Sequence, residues 1–283
     1  MTGTFQFDPA SDYSLGQLAD LVTAAFHGYA LPVQETPARL SRLVRVQGLD
    51  LAHSVVLRCD GQLVGVGFLG LRNTRAWVSA FGIIPAFRGR GLAGRLMERI
   101  IEQARQTGAL DVRLEVLVGN LAARRVYQRS GFRVQRELVT LERAPLSSPL
   151  LRSTNVRVEQ VDVETAVRGA LAMELTPACW QREAPSLLTG SAHGLLVCSG
   201  TRTVGCALHS IRDNAIALHH ICAVPEQAVT AIGAVLVYLV GTAITAGRHV
   251  TVLNEPDGKG LVAALGRNGF RETMRQMELR LEL

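Results

Sequence analysis

The 283-residue sequence reads as an α/β protein made of two tandem domains built on mixed sheets. Three observations carry this reading. Residues 77–140 alternate between strand-like runs and helical stripes, with a glycine-rich bend at the first changeover. A composition of 48% hydrophobic and 19% charged residues belongs to a folded globular chain, not a disordered one. Segments of the first half also recur in the second at a nearly constant shift, and the length accommodates two domains comfortably.

The first half resolves into elements in order. Leu15, Leu18, Val22 and Phe26 share one helical stripe. Gly28-Tyr29-Ala30-Leu31-Pro32 follows, and Pro32 and Pro37 interrupt helical continuity, so a loop falls there. Residues 57–65 form a hairpin around Asp60-Gly61. Residues 77–84 read as a buried strand, ended by Pro85 because proline lacks a ladder donor. In Arg88-Gly89-Arg90-Gly91-Leu92-Ala93 the glycines let bare backbone N–H groups approach a ligand, and the helix that follows adds partial positive charge. Such a bend suits a pyrophosphate. An ordinary glycine turn would look alike in isolation; neither the P-loop lysine nor Gly-x-Gly-x-x-Gly spacing is present. Leu92, Leu96, Ile100 and Ala104 then face inward with Arg95, Arg99 and Glu102 outward, and Gly108 is placed to stop the helix. Residues 111–118 alternate, with Val112, Leu114, Val116 and Val118 on one face and Arg113 and Glu115 on the other. Gly119-Asn120 opens a second helix carrying Ala123 and Tyr127; Asn120 and Tyr127, two turns apart, share a face. Gly131-Phe132 starts the next strand.

Arg-x-x-Gly-x-Ala at 88–93, Leu114-Glu115-Val116, Asn120-x-x-Ala123-x-x-x-Tyr127 and Gly131-Phe132, in this order and spacing, resemble the GNAT superfamily of acyl-CoA-dependent N-acyltransferases. The resemblance covers roughly residues 54–140. It implies the mixed-sheet α+β fold of that superfamily, acetyl-CoA as co-substrate without a metal, and direct attack of an amine on the thioester. It implies that backbone groups of Phe81, Gly82 and Ile83 pair with the pantetheine amides, and that a backbone N–H of the 81–84 strand holds the oxyanion. It further implies that Arg88, Gly89, Arg90, Gly91, Leu92, Ala93 and Gly94 hold the pyrophosphate, and that Asn120 binds nearby coenzyme atoms. Tyr127 becomes the acid for the departing thiolate, and Glu115, twelve residues earlier, the candidate base; that interval resembles acetyltransferases of protein N-termini. Many members place a carboxylate on the preceding strand. Residues 77–84 have none, which leaves Glu115 or a water chain. From the residues alone, Tyr127 also fits a core tyrosine, and Glu115 a strand glutamate paired with Arg113 or Arg124. Substrate choice in the superfamily lies in the first helices and their connection, here about residues 14–50. No acidic cluster there announces a polyamine, so the acceptor stays open between a small-molecule and a peptide amine. A non-catalytic acyl-CoA-binding sensor or interaction module is the alternative.

Residues 57–65 parallel 197–205, Pro85 parallels Pro225, and Gly131-Phe132 parallels Gly269-Phe270. This is domain duplication, with expected boundaries of 1–144, a proline- and serine-bearing linker at 145–153, and 154–283. At the place of residues 88–93 the second copy has Ala228 to Gly233, without the arginines and with one glycine at the end. Leu265 stands for Tyr127 and Leu253 for Glu115. The second copy is therefore expected to keep the fold and lose the reaction, shaping a substrate cleft or a homodimer contact instead.

Net charge is +6, carried by arginine with Lys259 the sole lysine, but no run of five or six basic residues speaks for nucleic acid. Arg88, Arg90, Arg95 and Arg124 instead cluster in segments that would meet polyanionic coenzyme A. Residues 228–247 lack charge for twenty positions yet contain three threonines and three glycines, and the second copy needs a core helix there, which disfavours a membrane span. Five dispersed cysteines (59, 179, 198, 206 and 222) and no secretory signal imply buried thiols in a reducing cytoplasm. His219-His220-x-Cys222 reads as core or hydrogen-bonded histidines, since adjacent strand residues face opposite sides. Asp257-Gly258 reads as a turn.

Overall fold

The computed structural model describes residues 4–145, 155–173, 177–190, 192–212, 215–240, 247–258 and 260–283. The expected linker from 146 onward and Lys259 lie outside the described residues. Two compact units result, Met1–Gln135 with Met277–Leu283, and Arg136–Gln276. This differs from a cut at the linker, and strand pairing gives the reason. The strand after Phe132 finds its antiparallel partner within the second unit, while the chain's last residues join the first, where the Leu283 N–H donates to the Leu110 carbonyl at 3.0 Å.

The first unit contains β1 (Phe5–Pro9), α1 (Leu15–Ala25), α2 (Pro37–Gln47), β2 (Leu49–Cys59), β3 (Gln62–Arg72), β4 (Arg75–Ile83), α3 (Leu92–Gln106), β5 (Asp111–Leu117) and α4 (Leu121–Arg129). Strands run β1-β2-β3-β4-β5, antiparallel except for the parallel β4–β5 pair. The sequence sets the ends locally. Ser14 caps α1 in a capping box with Gln17, and Thr36 caps α2 with Pro37 in its first turn. Gly108, at φ +77°, follows α3 and lets the chain turn back so that the Ala109 N–H reaches the Ala104 carbonyl. The inward stripe of α3, Leu92, Leu96, Ile100 and Ala104, is at most 3% exposed. That burial, more than propensity, holds the helix on the sheet.

The second unit contains β6 (Arg133–Arg143, from Arg136 on), β7 (Arg157–Val161), α5 (Val163–Met173), α6 (Ala184–Thr189), β8 (His193–Ser199), β9 (Arg202–Arg212), β10 (Ala215–Ala223), α7 (Ala228–Val240), β11 (His249–Pro256) and α8 (Leu261–Arg267). Its strands run β6-β11-β10-β9-β8-β7, with β10 and β11 parallel. Ala231, Ile232, Val235, Leu236 and Leu239 of α7 are buried against this sheet. No helix among the described residues is long and apolar enough to cross a membrane.

Candidate active site

A wedge opens in the first unit where β4 bulges. Against β3, Val66 pairs with Gly82 and Phe68 with Ser79, so β4 carries one extra residue, and Ala80 takes φ +48°. The parallel β4–β5 register ends at Trp77↔Arg113, although both strands continue. Beyond that point the facing backbone of β4, including Phe81, Gly82 and Ile83, no longer pairs with β5. A Cβ on Gly82 would crowd the Ala25 Cβ and carbonyl at 3.1 and 3.3 Å, where the end of α1 packs. The Ile84 N–H is already committed to the Val64 carbonyl at 2.9 Å, which removes it from the oxyanion donors of the 81–84 segment.

At the mouth of the wedge lies the glycine bend. Gly89 and Gly91 both take φ +76°, and Gly91 caps α3 in the left-handed conformation. No atom lies within 4 Å of a Cβ built on either, so conformation and not crowding selects glycine. The N–H groups of Gly89, Arg90, Gly91, Leu92 and Ala93 have no hydrogen-bond partner among the described residues, and they lie at the positive end of a fifteen-residue helix. The N–H groups of Arg88 and Gly94 are spent on the Pro85 and Gly91 carbonyls, so the cradle narrows to 89–93. Leu92, 3% exposed, anchors it to the core.

Arg88, expected beside the pyrophosphate, is held by backbone carbonyls. Its guanidinium donates to the carbonyls of Ile83 (2.9 Å), Ala25 (2.9 Å) and His27 (3.0 Å), tying the end of α1 to the end of β4. Arg124 donates to the Val118 carbonyl at 3.0 Å, Arg95 lies over the rings of Phe5 and Phe7, and Arg90 reaches the Ala86 carbonyl while covering Phe87. These four arginines are therefore held mainly by the protein.

Deeper in, Tyr127 on α4 is 5% exposed, with its ring 5.7 Å from Phe81 and 6.0 Å from Phe132. Burial, and the nearby Tyr29 phenol, push its pKa above the usual tyrosine value, so the hydroxyl stays protonated at neutral pH. Tyr29 comes from the loop after α1 and rests edge-on against Phe26 at 5.3 Å. Burial raises its pKa, and the nearby Asn120 side chain opposes the rise. Asn120 also caps α4, its Oδ1 accepting from the Ala123 N–H at 3.1 Å. Tyr29, which sequence reasoning left unassigned, lies near both Tyr127 and Asn120; its signal in the sequence was its place in a proline-bounded loop. Glu115 on β5 accepts a 2.8 Å hydrogen bond from the Trp77 indole. Arg113, one of its expected partners, pairs instead with Asp111 at 2.9 Å.

The second unit repeats the wedge without the cradle. β10 carries one extra residue between Leu218 and His220, at His219, and Pro225 again opens a short 3-10 turn. Then α7 starts at once at Ala228, with no left-handed glycine before it. Leu265 is buried in the place of Tyr127, whereas Leu253 is 52% exposed. The buried carboxylate here belongs to Glu255, paired with Arg182. His219 meets Ser210 at 2.7 Å. No group of three metal-ligating side chains occurs among the described residues.

Comparison with known proteins bears on family and fold. Residues 19–132 match the Acetyltransferase (GNAT) family. A 78-residue segment is 35% identical to an uncharacterized N-acetyltransferase of Mycobacterium tuberculosis, covering 27% of this chain and 50% of that one. A 93-residue segment is 31% identical to the spermine/spermidine N(1)-acetyltransferase of Bacillus subtilis, covering 30% and 61%. The chain thus spans about half the length of the curated relatives it matches. Among solved structures, a GCN5-related N-acetyltransferase from Sphaerobacter thermophilus superposes with a TM-score of 0.73 at 17% identity, covering 98% of this chain and 95% of that one. A tandem GNAT protein from the clavulanic acid biosynthesis pathway gives 0.71 at 17% identity, covering 99% and 98%. At these identities the likeness establishes the fold, a tandem pair of GNAT-type α/β units.

Proposed function

We propose that this chain, whose first unit is a GNAT-family domain, is an N-acetyltransferase that moves the acetyl group of acetyl-CoA to a primary amine of a small molecule or peptide. One observation carries the reading: five unspent backbone N–H groups at the start of α3 stand at the mouth of a wedge whose interior holds a protonated tyrosine. The diphosphate sits on residues 89–93, the pantetheine arm lies along β4 at Phe81 to Ile83, and Asn120 borders it.

The amine nitrogen attacks the thioester carbonyl carbon, the carbon–sulfur bond breaks, and coenzyme A leaves as its thiol. An alkyl ammonium has a pKa of roughly 10, so a proton must first be removed, by Glu115 directly or through water. The indole of Trp77 orients that carboxylate. Tyr127, kept protonated by burial, donates to the departing sulfur, and the proton that the newly acylated nitrogen sheds restores the phenol directly or through water. Tyr29, close to both Asn120 and Tyr127, is a positioning residue for Tyr127. The likeness to a spermine/spermidine enzyme supports an amine acceptor. The second unit keeps the fold without the cradle or the tyrosine and takes no part in the transfer.

Thiol release measured against panels of amines, amino acids and peptides tests this, with Tyr127→Phe as control. The variant is expected to bind acetyl-CoA normally and to lose about 10²–10⁴ in turnover. Acetyl-CoA binding without release for any acceptor would favour the sensor reading.

A further inference from the structure

At the shift of 140 that relates residues 57–65 to 197–205, the pairing of Val66 with Gly82 becomes that of Cys206 with Cys222. The second copy thus carries a thiol where the first has Gly82, and another directly across the ladder. The two Sγ atoms lie 3.1 Å apart, and neither cysteine is in a disulfide. Residues directly opposite on antiparallel strands have Cα atoms about 4.5–5.5 Å apart, within the span of about 4.4–6.8 Å that a disulfide bridges. Bringing the sulfurs to the bonded distance of about 2.05 Å is a movement of about 1 Å, which side-chain rotation supplies without shifting a strand. A buried cysteine taken singly is a small hydrophobe. Two with their sulfurs in contact across a ladder are also one oxidation away from a covalent bond.

The surroundings decide which oxidant can reach the pair. Ala170 and Met173 of α5 and Leu196 of β8 pack around it. Cys206 is wholly buried, whereas Cys222 is 8% exposed and lines a cavity of about 170 Å³. The same lining includes Pro225 and Gly260, both exposed. A water takes up about 30 Å³ of liquid, so a molecule of two oxygens fits this cavity and a peptide disulfide such as oxidised glutathione does not. Cys179 is buried as well, and Arg182 lies close to both it and Cys222, which makes Cys179 the competing partner for any oxidised sulfur.

We infer that Cys206 and Cys222 form a modification site, a dithiol that hydrogen peroxide converts to a disulfide stapling β9 to β10. Cys222, the sulfur nearer the cavity, gives up its proton and attacks one peroxide oxygen. The O–O bond breaks, the departing hydroxide takes that proton to become water, and Cys222 becomes a sulfenic acid. The Cys206 sulfur then attacks the sulfenic sulfur, the S–O bond breaks, and a second water leaves with the Cys206 proton. Two thiols and one peroxide thus give one disulfide and two waters, the sulfurs losing the two electrons that the oxygens gain. A small dithiol reverses the bond by exchange. The site stands apart from the transfer chemistry of the first unit and does not depend on it.

The test is treatment of the reduced, folded full chain with hydrogen peroxide, then denaturation, alkylation and peptide mass mapping. Cys206 and Cys222 are expected to lose alkylation at least tenfold faster than Cys59, Cys179 and Cys198, so the thiol count falls from five to three. The product is a Cys206–Cys222 linked peptide that dithiothreitol separates. Cys206→Ser should leave a sulfenic acid on Cys222 that dimedone traps, while Cys179→Ser should leave the linked peptide unchanged. Retention of all five thiols would overturn the assignment, as would a Cys179–Cys222 link or equal loss at every cysteine. The mapping needs no variant, so a Cys206→Ser chain that fails to fold does not remove the test. Because the readout lies in the second unit, it holds or fails regardless of whether the first unit transfers acetyl groups.

Discussion

The Trp77 indole donates to Glu115 Oε2 at 2.8 Å, fixing a carboxylate on β5 from the strand beside it, just where the parallel register of the two strands ends. If Glu115 is the base, Glu115→Gln lowers kcat by about 10²–10⁴ and removes the limb of the pH–rate profile that reports its ionisation. Trp77→Phe keeps the carboxylate but removes its indole donor, so kcat falls while KM for acetyl-CoA holds. A normal pH–rate profile for Glu115→Gln would assign the proton to a water chain.

Arg88 ties three carbonyls together, so its loss is a structural loss first. Arg88→Ala leaves those acceptors near the site unsatisfied and is expected to cost about 1–3 kcal/mol in chemical denaturation. Arg88→Lys should recover little, because a single ammonium cannot reproduce the guanidinium fork. Arg90, whose bond to Ala86 is exposed, should change stability by under about 0.5 kcal/mol when replaced by alanine.

Gly91→Ala tests backbone conformation with no steric complication, since a Cβ there meets nothing within 4 Å. The left-handed φ of +76° should cost about 1–2 kcal/mol. If the chain relieves that strain by moving the bend, the unpartnered N–H groups of 89–93 are displaced. Acetyl-CoA affinity, read by calorimetry, then falls by more than tenfold.

The second unit is expected to be acid-labile. Burial holds His220 at about pKa 3 and His209 at about 4, against 6.5 for a free histidine. Below pH 6.5 the unfolded chain takes up protons that the folded chain refuses. The stability these groups confer is therefore present above 6.5 and lost as pH falls toward 4 and 3. At pH 5 each contributes a loss of about 2 kcal/mol relative to pH 7. His220→Leu should shrink the difference in unfolding free energy between pH 7 and pH 5 by about that amount.

Much of the first unit was legible in sequence because local signals agreed. The strand expected at 77–84 is Arg75–Ile83, the stripe from Leu92 to Ala104 is the buried face of α3, and Asn120 caps α4 just where a helix start was expected. What stayed hidden depends on contacts distant in sequence or on backbone irregularity. Ala80 adopts positive φ although nothing in alanine announces it. Arg88 sits in a phosphate-binding motif, yet its guanidinium is used sixty residues back, on Ala25 and His27. Tyr29 reaches Tyr127 across nearly a hundred residues, and no periodicity encodes that approach. The second unit's carboxylate is Glu255 and not Leu253's position, because β11 bends at Asn254, whose φ is +50°.

The most direct test is a crystal structure of the full chain with acetyl-CoA. The account predicts the coenzyme in the first unit, its diphosphate oxygens about 3 Å from the N–H groups of residues 89–93 and its sulfur turned toward Tyr127. A coenzyme lodged only in the wedge between β10 and β11 would contradict it.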